Sequence, residues 1–395
     1  MYRNLLLKDA IKRLSPDSIE LMIPGHCNMG CKYCYMKYNV VEFTEDEILN
    51  SIDVLMESLN KEKLKFKCIE LFGPELVDLK IRIIEKIVKY GMVIIPIGER
   101  VFDNDDNVKK LIYFNKNYNI HYSISMDGKY MESNRPNIDR NDGYYDKVFS
   151  FAKETNAGFH PMIYYDSIEN WQSNFLWFIS MFNKYNIKLN RLYLLEVRND
   201  GWTDDKIKSY SDFIRFLVRY TLGYADNDVN KWYDIFVNGS CLNIFTNCFN
   251  KRYKGLSCSI QNTLNVRLGD LAIFPCHRLQ RDVFKIGYFD NNEIHGNNVE
   301  AFIATKTCDS KLLPYCITCS IKDFCPGQCL GSMYETNKNM FTPILSVCNM
   351  YHNKLFAIFD EFDKLGKSSI LSNFKKEQIR KIIKFMSEAR DVRKS

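Results

Sequence analysis

The chain lacks any apolar run long enough to span a bilayer, and its first 14 residues hold only the short run 5–7, well below a signal peptide's apolar core. Those absences argue against a membrane protein or a secreted one and place the chain in the cytoplasm. It also lacks a strong charge of one sign. With 54 basic and 48 acidic residues, the net charge of +6 is too mild and dispersed for a nucleic-acid footprint. No compositional bias is present either: 46% hydrophobic and 26% charged residues are ordinary for a globular protein, which excludes disordered and fibrous classes. What the chain does have is cysteine, 14 in all. A reducing compartment keeps thiols out of disulfides, so this many point to thiolate ligation of metals or clusters.

A length of 395 residues suits one large domain and a smaller one. The first half alternates short β-branched runs with longer amphipathic stretches, the pattern of repeated βα units around a mostly parallel sheet. Six strands are predicted, over residues 18–24, 67–73, 92–98, 120–127, 158–165 and 189–197, with helices between them. The fold class is therefore α/β, a partial (β/α)6 TIM barrel. Thr44 caps the first linking helix, where Glu45, Asp46 and Glu47 meet the positive end of its dipole. In the fourth strand, alternation sets His121, Ser123, Ser125 and Asp127 on one face and Tyr122, Ile124 and Met126 on the other. That polar face reads as a functional lumen, or as the wet face of an edge strand.

The βα rhythm stops near Leu222, and ten of the cysteines lie beyond it, starting at Cys241. Residues 1–222 are predicted as the barrel, 223–365 as a domain stabilised by clusters more than by apolar burial, and 366–395 as a basic C-terminal helix. In that helix Phe374, Ile379, Ile382, Ile383 and Met386 fall near one face, which suits a solvated packing helix.

Directly after the first strand comes Cys27-Asn28-Met29-Gly30-Cys31-Lys32-Tyr33-Cys34. A structural zinc site takes four protein ligands, so three cysteines on one loop either recruit a distant ligand or leave one metal position open. An iron-sulfur cube with one open iron suits the second case. This loop resembles the signature of the radical S-adenosylmethionine superfamily in spacing, in position and in the aromatic Tyr33 before the last cysteine. The resemblance implies a 4Fe-4S cluster on Cys27, Cys31 and Cys34 that binds S-adenosylmethionine and cleaves it to a deoxyadenosyl radical.

Two further segments share the resemblance. Phe72-Gly73-Pro74-Glu75 is similar to the family's Gly-Gly-Glu-Pro segment, with Pro74 for its second glycine and Leu76 for its proline. Ser125-Met126-Asp127-Gly128 resembles its Ser-x-Asp-Gly element, and Arg135 follows as in its Asn-Arg pair. By resemblance Tyr33, Gly73, Glu75, Ser125, Asp127 and Arg135 form the cofactor site. A hydroxyl and a guanidinium at a strand's carboxyl end can grip a carboxylate by charge-assisted bonds.

Cys316-x2-Cys319-x5-Cys325-x3-Cys329, then Cys348, is dense and irregular, unlike the paired knuckles of zinc ribbons. With Cys258, Gly269 and Cys276 it resembles the SPASM domain, an extension that carries two auxiliary 4Fe-4S clusters. Six residues separate Gly269 from Cys276 where the family usually has four, which implies a longer hairpin. The resemblance assigns Cys316, Cys319, Cys325 and Cys348 to the outer cluster and Cys258, Cys276 and Cys329 to the inner one. Cys248 or Cys241 is a candidate fourth inner ligand, or that position stays open to substrate. Cys68 and Cys308 carry no motif and read as structural thiols.

Enzymes of this type mostly modify peptides or protein side chains. The resemblance thus implies oxidation or cross-linking of a peptide or protein substrate, as in ribosomal peptide maturation, with an external one-electron donor such as flavodoxin or ferredoxin. Anaerobic sulfatase maturation, which forms formylglycine, and peptide epimerisation are the alternatives. His277 stands where sulfatase maturases place a basic Asp, and is either a general base or a hydrogen-bond donor to a cluster sulfur. Glu196 on the sixth strand reads as a lumen residue near substrate or as a strand-end ion pair. Only 26 residues precede Cys27, fewer than a separate leader-binding domain needs. Two other classes remain open to the residues alone: a zinc-bearing structural protein, and an electron-transfer protein that uses clusters without S-adenosylmethionine.

Overall fold

The first four predicted strands form where the apolar runs place them. The computed structural model describes residues 6–36, 41–224, 258–290, 293–296, 298–309 and 312–365, so the expected C-terminal helix, Cys241 and Cys248 lie outside the described residues. The chain divides into two compact units. The first comprises Met1–Met126, Ser133–Phe159 and Cys258–Cys308, and the second comprises Asp127–Glu132, His160–Ser257 and Asp309–Ser395.

In the first unit, β1 (Ser18–Met22), β2 (Cys68–Phe72), β3 (Met92–Gly98), β4 (Ile120–Ser125) and β5 (Gly158–Phe159) pair in parallel in that order. The linking helices are α2 (Glu45–Lys61), α3 (Val77–Ile87), α4 (Asp105–Asn117) and α5 (Tyr144–Thr155), and α1 (Leu7–Leu14) precedes β1. Helix α2 begins as its sequence requires. Thr44 accepts the Glu47 N–H at 3.2 Å while Glu47 accepts the Thr44 N–H at 2.7 Å, a reciprocal capping box. Along β4, Ile120, Tyr122 and Ile124 are buried, His121 is exposed, and Ser123 and Ser125 are half-buried, so the polar face of this strand is real.

A later segment widens the sheet. Strand β8 (Thr263–Arg267) pairs in parallel with β1, placing Glu20 beside Asn265 on one side and Glu70 on the other. Beyond β8 the sheet continues antiparallel through β9 (Ala272–Phe274), β10 (Gly287–Asp290) and β11 (Glu293–Gly296). All five residues of β1 are buried, because strands flank it on both sides. The sheet ends open at β5 and β11, so the barrel is not closed, as a partial barrel requires. Helix α8 (Val299–Thr307) closes the unit, its start capped by the Asn298 side chain on the Ala301 N–H at 3.1 Å.

The fifth and sixth predicted strands differ from expectation. The stretch 158–165 is broken into β5 and β6 (Met162–Ile163), since Pro161 has no N–H to continue a ladder. The stretch 189–197 begins as a 3-10 turn, Leu189–Arg191, with no buried residue, and only β7 (Leu195–Glu196) is extended. Strands β6 and β7 pair in parallel within the second unit. There, α6 (Trp171–Tyr185) and α7 (Asp204–Tyr224) are followed by α9 (Pro314–Ile317), α10 (Leu330–Asn337) and α11 (Leu345–Leu365). Helices α7 and α11 are joined by Arg215–Asp360 at 3.4 Å and Arg219–Glu361 at 3.2 Å. Among the described residues, no helix is long and apolar enough to cross a membrane.

Candidate functional site

The three-cysteine loop leaves the carboxyl end of β1, and the segment 134–137 holds it from behind. Asn134 O accepts the Lys32 N–H at 3.0 Å, and Asn137 Nδ2 donates to Asn28 O at 2.9 Å. Gly30, at φ +67°, has no room for a side chain, since a Cβ there would lie 2.8 Å from Asn137 Nδ2. Cys27, Cys31 and Cys34 are half-buried and in no disulfide, and Cys27 Sγ accepts the Glu75 N–H at 3.5 Å. The Arg135 guanidinium lies 5.7 Å from the Tyr33 ring centre and 3.9 Å from the fully buried Glu99 carboxylate. Arg140 grips that carboxylate with two bonds of 3.0 Å, and Tyr144 O–H donates to it at 3.2 Å. Arg135 is thus fixed against the loop by a preformed charge network.

Glu75 follows β2 in a turn that only glycine permits. Gly73 sits at φ +147°, and a Cβ there would lie 2.7 Å from both Cβ and O of Ile23. The Glu75 carboxylate packs over Gly98, whose added Cβ would be 2.8 Å from Glu75 Cδ, and Gly98 is the register partner of Ser125. Glu75 and Ser125 thus lie on either side of Gly98, at the carboxyl ends of β2 and β4 with β3 between them. Lys80 Nζ donates to Glu75 Oε2 at 2.7 Å and to Pro96 O at 3.2 Å, while Glu75 Oε1 is buried with no partner. An orphan carboxylate oxygen beside a cavity of about 700 Å³ suits the ammonium of an amino-acid-like ligand. Asp127, in the second unit, is committed to the backbone: its Oδ1 accepts the Met162 N–H at 3.0 Å and its carbonyl accepts from Asn174 Nδ2 at 2.7 Å.

Around β1 lies a polar cluster that sequence reasoning recognised only in His277. The imidazole Nδ1 sits 2.9 and 3.0 Å from the two carboxylate oxygens of Glu20, which is buried in the central strand. Phe72 stacks on the imidazole at 4.3 Å and Tyr35 at 5.5 Å, and Arg278 lies 4.8 Å from the Tyr35 ring centre. The Tyr35 hydroxyl is buried without a hydrogen-bond partner, and burial, reinforced by Glu20, pushes its pKa up. Burial, reinforced by Glu20, also raises Glu70 above the usual carboxylate range, against the opposing pull of Ser18 and His277. Glu20 and Glu70 left a signal in the sequence, as single charges inside otherwise apolar strands.

Cys276 follows β9 and Cys258 precedes the turn into β8. Near both runs the buried ammonium of Lys306. Burial lowers its pKa to about 8, against the fields of Cys276, Glu20 and Cys258, which favour the charge.

In the second unit, Cys316, Cys319, Cys325 and Cys348 line one cavity of about 280 Å³. Gln328 Nε2 donates to Cys348 Sγ at 3.0 Å, Gly327 N–H to Cys325 Sγ at 3.4 Å, and His352 Nε2 lies 3.6 Å from Cys319 Sγ. Burial pushes the Cys325 thiol up to about 12 and Cys348 to about 11. These four cysteines are the ones the resemblance assigned as outer ligands, whereas Cys329 stands at the N-cap position of α10 without a side-chain cap bond. Among the described residues, no three His, Cys, Asp or Glu side chains converge as they would on a single metal ion. Glu196 is buried and bonded to Lys354 Nζ and to the Tyr210 hydroxyl, each at 2.7 Å. Burial alone would raise its pKa, but Lys354, then Arg198 and Tyr210, bring it below the usual range.

No protein-family model matches the chain, and neither does any curated protein. Solved structures do. Native anSMEcpe with bound AdoMet and Cp18Cys peptide is similar at a TM-score of 0.58 and 15% identity, over 88% of this chain and 98% of that one. Streptococcus suis SuiB bound to precursor peptide SuiA is similar at a TM-score of 0.51 and 13% identity, over 86% of this chain and 78% of that one. Both are radical S-adenosylmethionine proteins with a SPASM extension. With its three-cysteine loop on an open parallel sheet and its later cysteines around a cavity, the chain has the fold of that group.

Proposed function

We propose that the protein is a radical S-adenosylmethionine enzyme that oxidises or cross-links a peptide or protein substrate. The observation that carries the reading is the convergence of the Cys27–Cys31–Cys34 loop, the orphan Glu75 oxygen and Ser125 at one end of a parallel sheet. Cys27, Cys31 and Cys34 would hold a 4Fe-4S cluster able to bind the cofactor. When bound, the cofactor supplies, after uptake of one electron, a 5′-deoxyadenosyl radical able to remove hydrogen from an unactivated carbon. Glu75 Oε1 receives its ammonium, Ser125 its carboxylate, and Arg135, braced by Glu99, stands against Tyr33 to orient it. An external one-electron donor of the flavodoxin or ferredoxin kind supplies the electron, and the reaction takes place in the cytoplasm.

Two auxiliary clusters accompany the first, one on Cys316, Cys319, Cys325 and Cys348 and one that includes Cys258 and Cys276. A peptide substrate is supported by the likeness to two structures bound to peptides. His277 takes the substrate proton: Glu20 holds Nδ1–H, so proton exchange runs through Nε2. That carboxylate-braced imidazole also favours a second reading, formylglycine formation on a sulfatase, where a base must deprotonate a cysteine or serine. Glu196, spent on Lys354 and Tyr210, serves as a buried ion pair and not as a catalytic group.

Anaerobic reconstitution should give about 12 iron per chain if each cluster holds four. The reduced protein should then convert S-adenosylmethionine to 5′-deoxyadenosine, and Cys31→Ala should abolish that product. Stoichiometric zinc in a colourless protein that forms no deoxyadenosine would overturn the reading.

A further inference from the structure

Lys306 is a buried cation near the β1 cluster, and the chemistry proposed above gives it no task. It stands near the end of α8, 5% exposed, with Nζ 5.5 Å from the Phe302 ring centre. Its ammonium donates to three backbone carbonyls: Ile260 O at 2.5 Å, Thr263 O, and Pro275 O at 3.3 Å. The placement of those carbonyls is what matters. Ile260 and Thr263 follow Cys258 by two and five residues, and Pro275 immediately precedes Cys276. Asn265 Nδ2 binds two of the same carbonyls, Thr263 O at 3.2 Å and Pro275 O at 3.0 Å. An uncharged amide thus already satisfies part of this set.

A buried ammonium costs several kcal/mol unless negative charge compensates it, and carbonyl dipoles alone carry no net charge. Neutral donors would close the same turn more cheaply. The field of Glu20 favours the charge, but that carboxylate is engaged by His277, and the remainder is explained if the neighbouring site is itself anionic, as a thiolate-ligated iron-sulfur cluster is. Hydrogen bonding and net charge around the sulfurs are what set the potential of such a cluster.

We propose that Lys306 is a positioning residue of the inner auxiliary site, clamping the segments that carry Cys258 and Cys276 and holding a positive charge against their thiolates. The proposal rests on the reading that these two cysteines ligate a cluster. Lys306 then acts on the cluster in two ways. It sets the spacing of two ligands before iron arrives, and it makes the bound cluster easier to reduce.

The test compares wild type, Lys306→Met and Lys306→Gln after anaerobic reconstitution, reading iron content and the midpoint potential of each cluster by redox titration with electron paramagnetic resonance. Wild type should hold about 12 iron. Lys306→Met should either lose about four of these with circular dichroism unchanged, or keep them with one midpoint moved to more negative potential and the other two unmoved. Lys306→Gln, which keeps N–H donors without the charge, should retain the iron and show the same negative shift. Wild-type iron and potentials in both variants would overturn the proposal, as would global unfolding of both, which would make Lys306 a strut of the fold alone. Wild type holding only about four iron would instead overturn the auxiliary clusters themselves.

Discussion

Removing Lys354 tests how Glu196 is used. The two side chains are 7% and 4% exposed and their charged atoms are 2.7 Å apart, with Tyr210 supplying a second bond to the same carboxylate oxygen. Lys354→Met leaves the carboxylate buried with one hydroxyl donor. Breaking a buried pair from one side costs about 3–5 kcal/mol, whereas an exposed pair is worth about 0–1 kcal/mol. The cluster-free protein should therefore lose about 3–5 kcal/mol, read as a lower urea midpoint at unchanged slope. Glu196→Leu combined with Lys354→Met should recover most of it, because two matched apolar residues leave no orphan charge. The folded pKa of Glu196 lies below its unfolded value, so the pair stabilises fully above the ordinary carboxylate range. That contribution should fade as pH falls below about 4 and be absent from the double variant. A loss under about 1 kcal/mol for Lys354→Met would refute the reasoning. A well-folded double variant that forms deoxyadenosine but leaves substrate unmodified would return Glu196 to the catalytic machinery.

Gly73→Ala forces a Cβ to 2.7 Å from the Ile23 backbone oxygen at φ +147°, and should cost about 1–3 kcal/mol or more and weaken cofactor binding by displacing Glu75. Gly30→Ala meets only the Asn137 side chain, so its stability loss should be nearer 1 kcal/mol, with about four fewer iron per chain as the loop shifts. In iron-free protein the burial-raised thiols of Cys325 and Cys348 should alkylate far more slowly at pH 8 than an exposed cysteine, and equally fast labelling would contradict their burial. Glu20→Gln keeps the shape of the His277 contact but removes the carboxylate, and should lower substrate modification while deoxyadenosine formation persists. Equal loss of both would place Glu20 in cofactor binding.

The parts of this fold that sequence could reveal are local ones. Strands β1 to β4 follow from apolar runs of the right length, α2 from Thr44 and Glu47, and the half-wet face of β4 from simple alternation. The loop of Cys27, Cys31 and Cys34 was legible because its residues adjoin in sequence, whereas the grouping of the four cysteines that share the cavity of the second unit came from the family resemblance and not from spacing. Pairings between distant segments were not legible. Nothing in Thr263–Arg267 announces that it lies beside Ser18–Met22, and Glu20 meets His277 across 257 residues. The single proline that divides β5 from β6 was visible, but its neighbours are β-formers and the periodicity ran through it. Lys306 gave no signal at all, as a lysine on a short helix normally faces water.

The most direct measurement is electron paramagnetic resonance of the reduced, reconstituted protein with and without S-adenosylmethionine. Coordination at an iron left vacant by Cys27, Cys31 and Cys34 should change the spectrum of one cluster and leave the others as they were, and Cys31→Ala should erase the response. A spectrum indifferent to the cofactor would contradict the account at its root.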